Sequence, residues 1–538
     1  MFMLILNETV VGTITNRNLR NIGHVLISCD SAAGISGSLH IDNVQIGIVR
    51  TQIARNPSPE SGAIIADTWV NLSWSPGDTA ISHDVYFGEN LDHVNNGTGG
   101  TFQGNQNITY FNLGLPGQPY PDGFVPGRTY YWRVDEVDPA NTYKGDVWSF
   151  TTRPEISIHY FFDGAISREV LENYLSRAIT MGDMMNGGLF YDDQVRMVRN
   201  IGAKFLGRAF SSWGWEAGRI SWLENTASRV TALHNLDPEI IVQGTIFEII
   251  TTSVNNVPIP VWVLDEFGFR RERRNFNYDA IRYEDGRYEE LWGSGASVPD
   301  ISRPETKMWF YYRACTYIDF GYEAIHVGQA KLMDDNDPSH EHWHDILTRI
   351  REYASVHGRR HMVLIDGHVN SLKRQDDLLF DFHSFPLRPQ ETATPQEAVL
   401  SMGNGIYGQS GSGWTPSGWY ATGGLPYLVE IDNWGVSGQE GQNIGGAWVW
   451  GYDEIGWFAH QDEQYRNDWL RYASQWVRDH DVNGFMQMCG SRTLAVPVNG
   501  SNNYYANTSS SAMPFGSNQE ETIKEIWLDW LDESIGEN

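Results

Sequence analysis

Residues 426–434 read PYLVEIDNW. Tyr427, Leu428, Val429 and Ile431 are strand formers and occupy most of the stretch. Glu430 and Asp432 follow, two residues apart and therefore on one side of that strand. Carboxylates on an apolar strand are unfavourable unless paired or hydrogen-bonded, so the stretch calls for a shared polar pocket. Buried parallel strands whose C-terminal ends open into such a pocket are the plan of a (β/α)8 barrel.

The same texture runs through residues 154–538. Strand candidates are 156–163 (ISIHYFFD), 203–211, 239–250, 324–329, 361–369, 378–385, 427–434, 446–454 and 484–490, nine for eight places in a barrel. Amphipathic stretches such as DDQVRMVRNIG and WHDILTRIREYASVHG lie between them at helical spacing. The alternation makes this region α/β, and its 385 residues leave room for large loops around a barrel of about 250. A doubly wound open sheet is the alternative, but no GxGxxG or GxxxxGK follows any strand. By this count 427–434 is the seventh strand.

Upstream, residues 55–153 show short strands at VNLSWSPG, HDVYFGEN, ITYFNLGL, TYYWRVDEVD and DVWSFTTRP, divided by turn residues. They predict a small all-β sandwich with Trp74, Tyr86, Trp132 and Trp148 in its core and edges. Residues 1–54 alternate in three shorter runs and read as a partial, jelly-roll-like β segment. The chain is therefore multidomain.

The formal charge of −29 argues against nucleic acid, whose binding depends on Lys and Arg displacing counterions. Cys29, Cys315 and Cys489 are too few and too scattered for a disulfide framework or a Cys-based zinc site. No apolar run reaches the length of a membrane helix, and the opening MFMLILNETVVG lacks the basic start and cleavage site of a signal peptide. Aromatic residues make up 13%, with 21 Trp and 25 Tyr, and flat aromatic faces suit sugar rings.

At strand ends the candidate site residues gather. Glu248 closes IIVQGTIFE, with Gln243 in the same run; Gln329 ends AIHVGQ, with His326 before it. Asp366 and His368 share a strand face, as do Asp381 and His383. Arg208 lies in FLGRAF, followed by Trp213 and Trp215. Two carboxyl groups across a pocket are what glycosidic cleavage needs, one to protonate the departing oxygen and one to attack the anomeric carbon or activate water. Glu248 as acid/base and Glu430 as nucleophile or base form the leading pair, with Asp366, Asp381, Asp432 and Glu454 in reserve.

Arg208, Trp213, Gln243, His326, Gln329, Asp366, His368, Asp381, His383, Asp432, Trp434 and Trp450 are the expected substrate-binding residues. Trp448 is a further stacking candidate, and the loop 403–424, with Trp414, Trp419 and Tyr420, reads as a cleft edge. The Arg270, Arg271, Arg273 and Arg274 cluster could hold a carboxylate or sulfate, or pair within its own loop. The Asp-x-His pairs also admit a metal, but HExxH and CxxC are absent, so no metal and no cofactor is expected.

The 55–153 segment resembles the fibronectin type III-like modules that precede catalytic domains in environmental bacterial glycosidases. Residues 155–538 resemble TIM-barrel glycoside hydrolases in architecture, where an acid at one strand end works with a Glu on the seventh strand. The resemblance implies a secreted bacterial enzyme cleaving a polysaccharide or oligosaccharide. It departs from the largest retaining group, whose acid/base Glu follows an Asn on the fourth strand; here Phe247 precedes Glu248 on the third. A polysaccharide lyase, a metal-dependent hydrolase and a non-catalytic glycan-binding protein are the alternatives.

Overall fold

The computed structural model describes residues 2–6, 9–14, 51–65, 67–152, 160–182, 184–370, 372–402 and 411–536. They fall into two compact units, Met1–Glu155 and Ile156–Asn538.

The first unit is a β-sandwich. One sheet runs Ala63–Ile65, Val147–Thr152, Thr129–Val137, Ser82–Gly88, Phe102–Gln106; the other joins Arg55–Ser58, Val70–Ser75 and Tyr110–Leu113. Strict alternation of buried and half-exposed residues along Val147–Thr152 marks a strand with one face on the core. That core holds Leu72, Trp74, Val85, Phe87, Tyr130, Trp132, Trp148 and Phe150, while Tyr86 sits half-buried under Arg133. A hairpin, Phe2–Leu6 with Thr9–Ile14, is described further upstream; residues 15–50, most of the jelly-roll-like segment, lie outside the described residues.

The second unit is built on eight parallel strands: β1 (Ala178–Met181), β2 (Phe205–Phe210), β3 (Ile241–Thr245), β4 (Ala324–His326), β5 (Leu364–Asp366), β6 (His383–Pro386), β7 (Tyr427–Glu430) and β8 (Gly484–Val498). Their order in the sheet is 5-4-3-2-1-8-7-6, each strand beside its sequence neighbour and β1 beside β8. Asp381 N–H bonds to Ile365 O at 2.9 Å and Ser384 N–H to Gly367 O at 3.3 Å, which bridges the seam between β5 and β6. The barrel is nearly closed.

Helices Tyr191–Ile201, Glu216–Glu224, Ala227–Leu236, Pro304–Asp319, Glu341–His357, Glu463–His480 and Glu520–Gly536 surround it. Among the described residues no helix follows β5 or β6; short β-pairs fill those connections.

Polarity is graded along the barrel axis. At the N-terminal ends the first residues of five strands, Ala178, Phe205, Ile241, Ala324 and Leu364, join Tyr160, Phe162 and Phe382 in one apolar plug. Each large member of the plug contributes about 1.5–3 kcal/mol by burial. At the C-terminal ends Glu430 pairs in register with Gln487, and His326 with Asp366. The polar and ionisable side chains gather at that end.

Two strand expectations are corrected. Of ISIHYFFD, residues 156–159 lie outside the described residues, while 160–163 form no strand but supply the plug; among the described residues the barrel's first strand is AITM at 178–181. In 446–454 only isolated bridges form, because Gly445, Gly446 and Gly451 take positive φ and a Cβ at Gly451 would meet Gln439 O at 2.0 Å. The exchange at the first strand leaves 427–430 as the seventh.

Asp381 is one of the seam's fasteners. Its carboxylate accepts from Ile365 N–H and from Arg351 Nη2, both at 2.9 Å, and it is 2% exposed. Asp381→Ala is expected to lower stability by about 1–3 kcal/mol in denaturant unfolding, with KM unchanged; a raised KM at native stability would return Asp381 to the cleft.

Candidate active site

Two strand ends supply the central carboxylates, and each is held differently. Glu430, the last residue of β7, is 1% exposed. Its Oε1 accepts a short hydrogen bond from Arg208 and lies 3.1 Å from His368 Nε2; Arg492 Nη2 stands 3.8 Å from Oε2. Burial alone would favour the neutral acid, but the charges of Arg208 and Arg492 and the His368 contact outweigh it and hold Glu430 well below the usual carboxylate range. Its Oε2 is buried with no hydrogen-bond partner among the described residues, an exception that needs a functional reason.

Arg208 reaches Glu430 through an unusual backbone. It takes φ of 53° in the middle of β2, and the register of β2 on β3 shifts between Leu206 and Phe210. A left-handed non-glycine residue costs on the order of 1–3 kcal/mol and persists where its surroundings over-determine it. Here Gln243 Oε1 accepts from Arg208 N–H at 2.9 Å, and Gln243 Nε2 donates to Asp366 Oδ1 at 2.7 Å. Asp366 also takes His326 Nδ1 at 2.8 Å and Ser384 Oγ at 2.6 Å. Gln243, Asp366 and His326 therefore form a buried layer beneath the mouth that positions Arg208. Burial pushes the His326 pKa down despite Asp366, and the ring lies edge-on to His368 at 4.8 Å.

Glu248 stands just beyond β3 and is 3% exposed. It accepts from Gln329 N–H at 3.0 Å and from Gln329 Nε2 at 2.8 Å, so the end of the fourth strand carries an amide that grips the acid of the third. Trp292 Nε1 donates to the Glu248 carbonyl at 2.9 Å. No cationic side chain pairs with Glu248 among the described residues, a setting suited to a group that must both give and take a proton. Gly328 makes room: it has φ of +63°, and a Cβ there would fall 1.9 Å from Glu248 Oε2. Gly328→Ala is expected to displace that carboxylate and lower kcat/KM by about 10²-fold with Tm only modestly reduced; native kinetics would separate Glu248 from the chemistry.

These groups border one cavity of about 670 Å³ at the C-terminal ends of the strands. Of the expected residues, Arg208, Trp213, Glu248, Gln329, His368, Asp432 and Trp434 line it. Glu430 lies beneath Arg208 and His368. Trp213 packs edge-on to Phe247 and Trp292 and is 50% exposed, and Trp434, with Arg388 above its ring, is 36% exposed, so both offer faces to a ligand. Among the described residues no three His, Cys, Asp or Glu side chains converge as a metal site requires.

Other expected residues lie elsewhere. His383 is the first residue of β6 and Asp381 lies two residues before it, so both sit at the N-terminal end of that strand; His383 is fully buried against Phe380 and Phe385, and burial pushes its pKa down to about 4. Trp450 is 8% exposed, with Nε1 donating to Glu397 O at 3.1 Å, and belongs to the core. Glu454 is buried, bonded by Arg388 Nη1 at 2.7 Å and by Asp432 N–H at 2.9 Å; it buttresses the loop after β7 rather than facing the cavity.

Residues 403–410 lie outside the described residues, but the rest of that loop runs to the start of β7, the end opposite the mouth: Trp419 Nε1 donates to Ile166 O at 3.1 Å. Arg271 pairs with Asp265 and Arg274 with Glu305 and Glu272, within their own insertion.

Arg492, Arg219 and Trp292 also line the cavity and escaped sequence reading. Arg492 follows GFMQMCG by two residues, and a strand read as ending at 490 continues to Val498.

No family model matches the sequence, and no curated protein matches it. Among solved structures, the fibronectin type III domain of the human collagen alpha-1(XX) chain aligns over 20% of this chain and 88% of its own at 15% identity and a TM-score of 0.15. A family 39 glycoside hydrolase from Bacteroides cellulosilyticus WH2 aligns over 89% of this chain and 82% of its own at 10% identity and a TM-score of 0.30. Such scores carry no argument; strand order and register define the fold.

Proposed function

We propose that the protein is a secreted glycoside hydrolase that cuts a polysaccharide or oligosaccharide in the barrel-mouth cavity, with Glu248 as acid/base and Glu430 as nucleophile. The observation that carries the reading is the contrast between two buried carboxylates at one mouth. Glu430 is fixed as an anion by Arg208 and Arg492, whereas Glu248 faces the cavity without a cation. Glycosidic cleavage needs such a division of labour.

The depressed Glu430 also favours attack over base catalysis. A weakly basic carboxylate is a poor acceptor for a proton from water, but it departs readily from a glycosyl-enzyme ester. In the first step Glu430 Oε2 bonds to the anomeric carbon as the glycosidic bond breaks, and Glu248 delivers its proton to the departing oxygen. Water then attacks the ester, giving its proton back to Glu248 and releasing Glu430. Trp213 and Trp434 offer apolar faces to the rings on either side.

Incubation with a glycan panel, with and without chelator, tests the reading. Hydrolysis indifferent to chelator, with the fresh product retaining the anomeric configuration by NMR, is expected. Loss with chelator, an unsaturated product, or binding without turnover would replace it by a metal enzyme, a lyase or a glycan-binding protein respectively, and inversion would remove Glu430 as nucleophile.

A further inference from the structure

Across the chain 67 acids face 38 Lys and Arg, yet the cavity lining reverses that balance. A second cavity of about 860 Å³ adjoins the first, the two sharing Gly182 and Thr493 in their walls. Among the described residues they are lined together by Arg208, Arg219, Arg229 and Arg492 against Glu248 and Asp432, and the second has no carboxylate among those residues. Arg208 and Arg492 are accounted for by Glu430 and Asp432. Arg219 and Arg229 have no ion pair among the described residues.

Both are positioned rather than loose. They sit on consecutive helices after β2, Glu216–Glu224 and Ala227–Leu236. The Arg219 guanidinium lies 4.6 Å over Trp222, and its Nη1 is buried with no hydrogen-bond partner among the described residues. Arg229 lies 5.6 Å over Tyr191, with Nη1 donating to Met185 O at 2.9 Å. A half-buried guanidinium with unused donors, in a protein so rich in carboxylates, is best explained by an anion that arrives from outside.

We infer that the substrate is an anionic glycan, whose carboxylate or sulfate groups bind Arg219 in the first cavity and Arg229 in the second as the chain lies across both. The inference rests on the glycosidase reading and narrows it: Arg219 and Arg229 set specificity, while Glu248 and Glu430 do the chemistry. The second cavity, bordered by Trp222 and Tyr505 together with Asn225, Asn502 and Asn503, is suited to the hydroxyl groups of further sugar units.

Titration calorimetry on the E248Q protein tests this, using polygalacturonate, a sulfated galactan, neutral xylan and neutral laminarin at low and high salt. Tightest binding to one of the acidic polymers, weakened by salt, is expected, and the two acidic polymers tell carboxylate from sulfate. Arg219→Met and Arg229→Met should each weaken it about 10-fold or more without moving the melting temperature, and Arg219→Lys should recover part of the loss. Preference for a neutral glycan, no binding to either acidic polymer, or acidic binding unmoved by both Met variants would overturn the inference. Arginine-dependent binding of an acidic glycan that the native protein leaves uncut would remove the hydrolase reading and leave this one standing.

Discussion

Glu248→Gln is expected to cut turnover of an unactivated glycan by about 10²–10⁴-fold while leaving KM and melting temperature close to native. The amide can still accept from Gln329 N–H, so the local packing survives, but it has no proton to give. A leaving group that needs no protonation exposes the difference. On a dinitrophenyl glycoside of the same sugar the first step should proceed at near-native rate in the variant, and the limb of the pH–rate profile that belongs to the acid should vanish. Equal losses on both substrates would show that Glu248 does something other than protonate the departing oxygen.

Glu430→Gln should have a larger and double effect. Turnover is expected to fall on the order of 10⁴-fold or more, on activated and unactivated substrates alike, because the attacking group itself is gone. Stability should also fall by about 3–5 kcal/mol, since Arg208, 7% exposed, loses the charge that compensates its burial, and Arg492, 4% exposed, is left with Asp432 alone. The acid limb of stability carries the same signature. Because the folded pKa of Glu430 lies below that of an unfolded glutamate, its contribution is complete above about pH 4.3 and is lost as pH falls through the folded value. The native protein should therefore lose stability below about pH 4 more steeply than the variant. A variant with native stability and a flat difference across that window would deny the ion-pair cluster, whatever its activity.

The parts of the site that sequence reading reached are those where composition conflicts with place. Glu430 and Asp366 stand out because carboxylates end strands that are otherwise apolar, and a barrel puts such ends together. Arg208 stands out for the same reason inside FLGRAF. What stayed hidden has equally physical causes. AITM is four residues long and too short to show any period, while the longer aromatic run ISIHYFFD looks more like a strand than the strand beside it. Asp381 and His383 share a face by alternation, but strand direction decides which end of the barrel they reach, and β6 begins only at His383. Trp419 sits just upstream of β7, and what precedes a parallel strand lies at the end away from the mouth. Arg219 belongs to a helix and Trp292 to a long insertion, where neither periodicity nor strand polarity indicates a cavity.

The crystal structure of the E248Q variant soaked with the best-cleaved oligosaccharide tests the central claim, that the carboxylates of Glu248 and Glu430 grip one sugar linkage. The account predicts an intact chain in the barrel-mouth cavity, its scissile oxygen within hydrogen-bond reach of the side chain at position 248 and its anomeric carbon facing Glu430 Oε2. A sugar bound away from that mouth, or one kept from Glu430 by an unmoved Arg208 and His368, would contradict it.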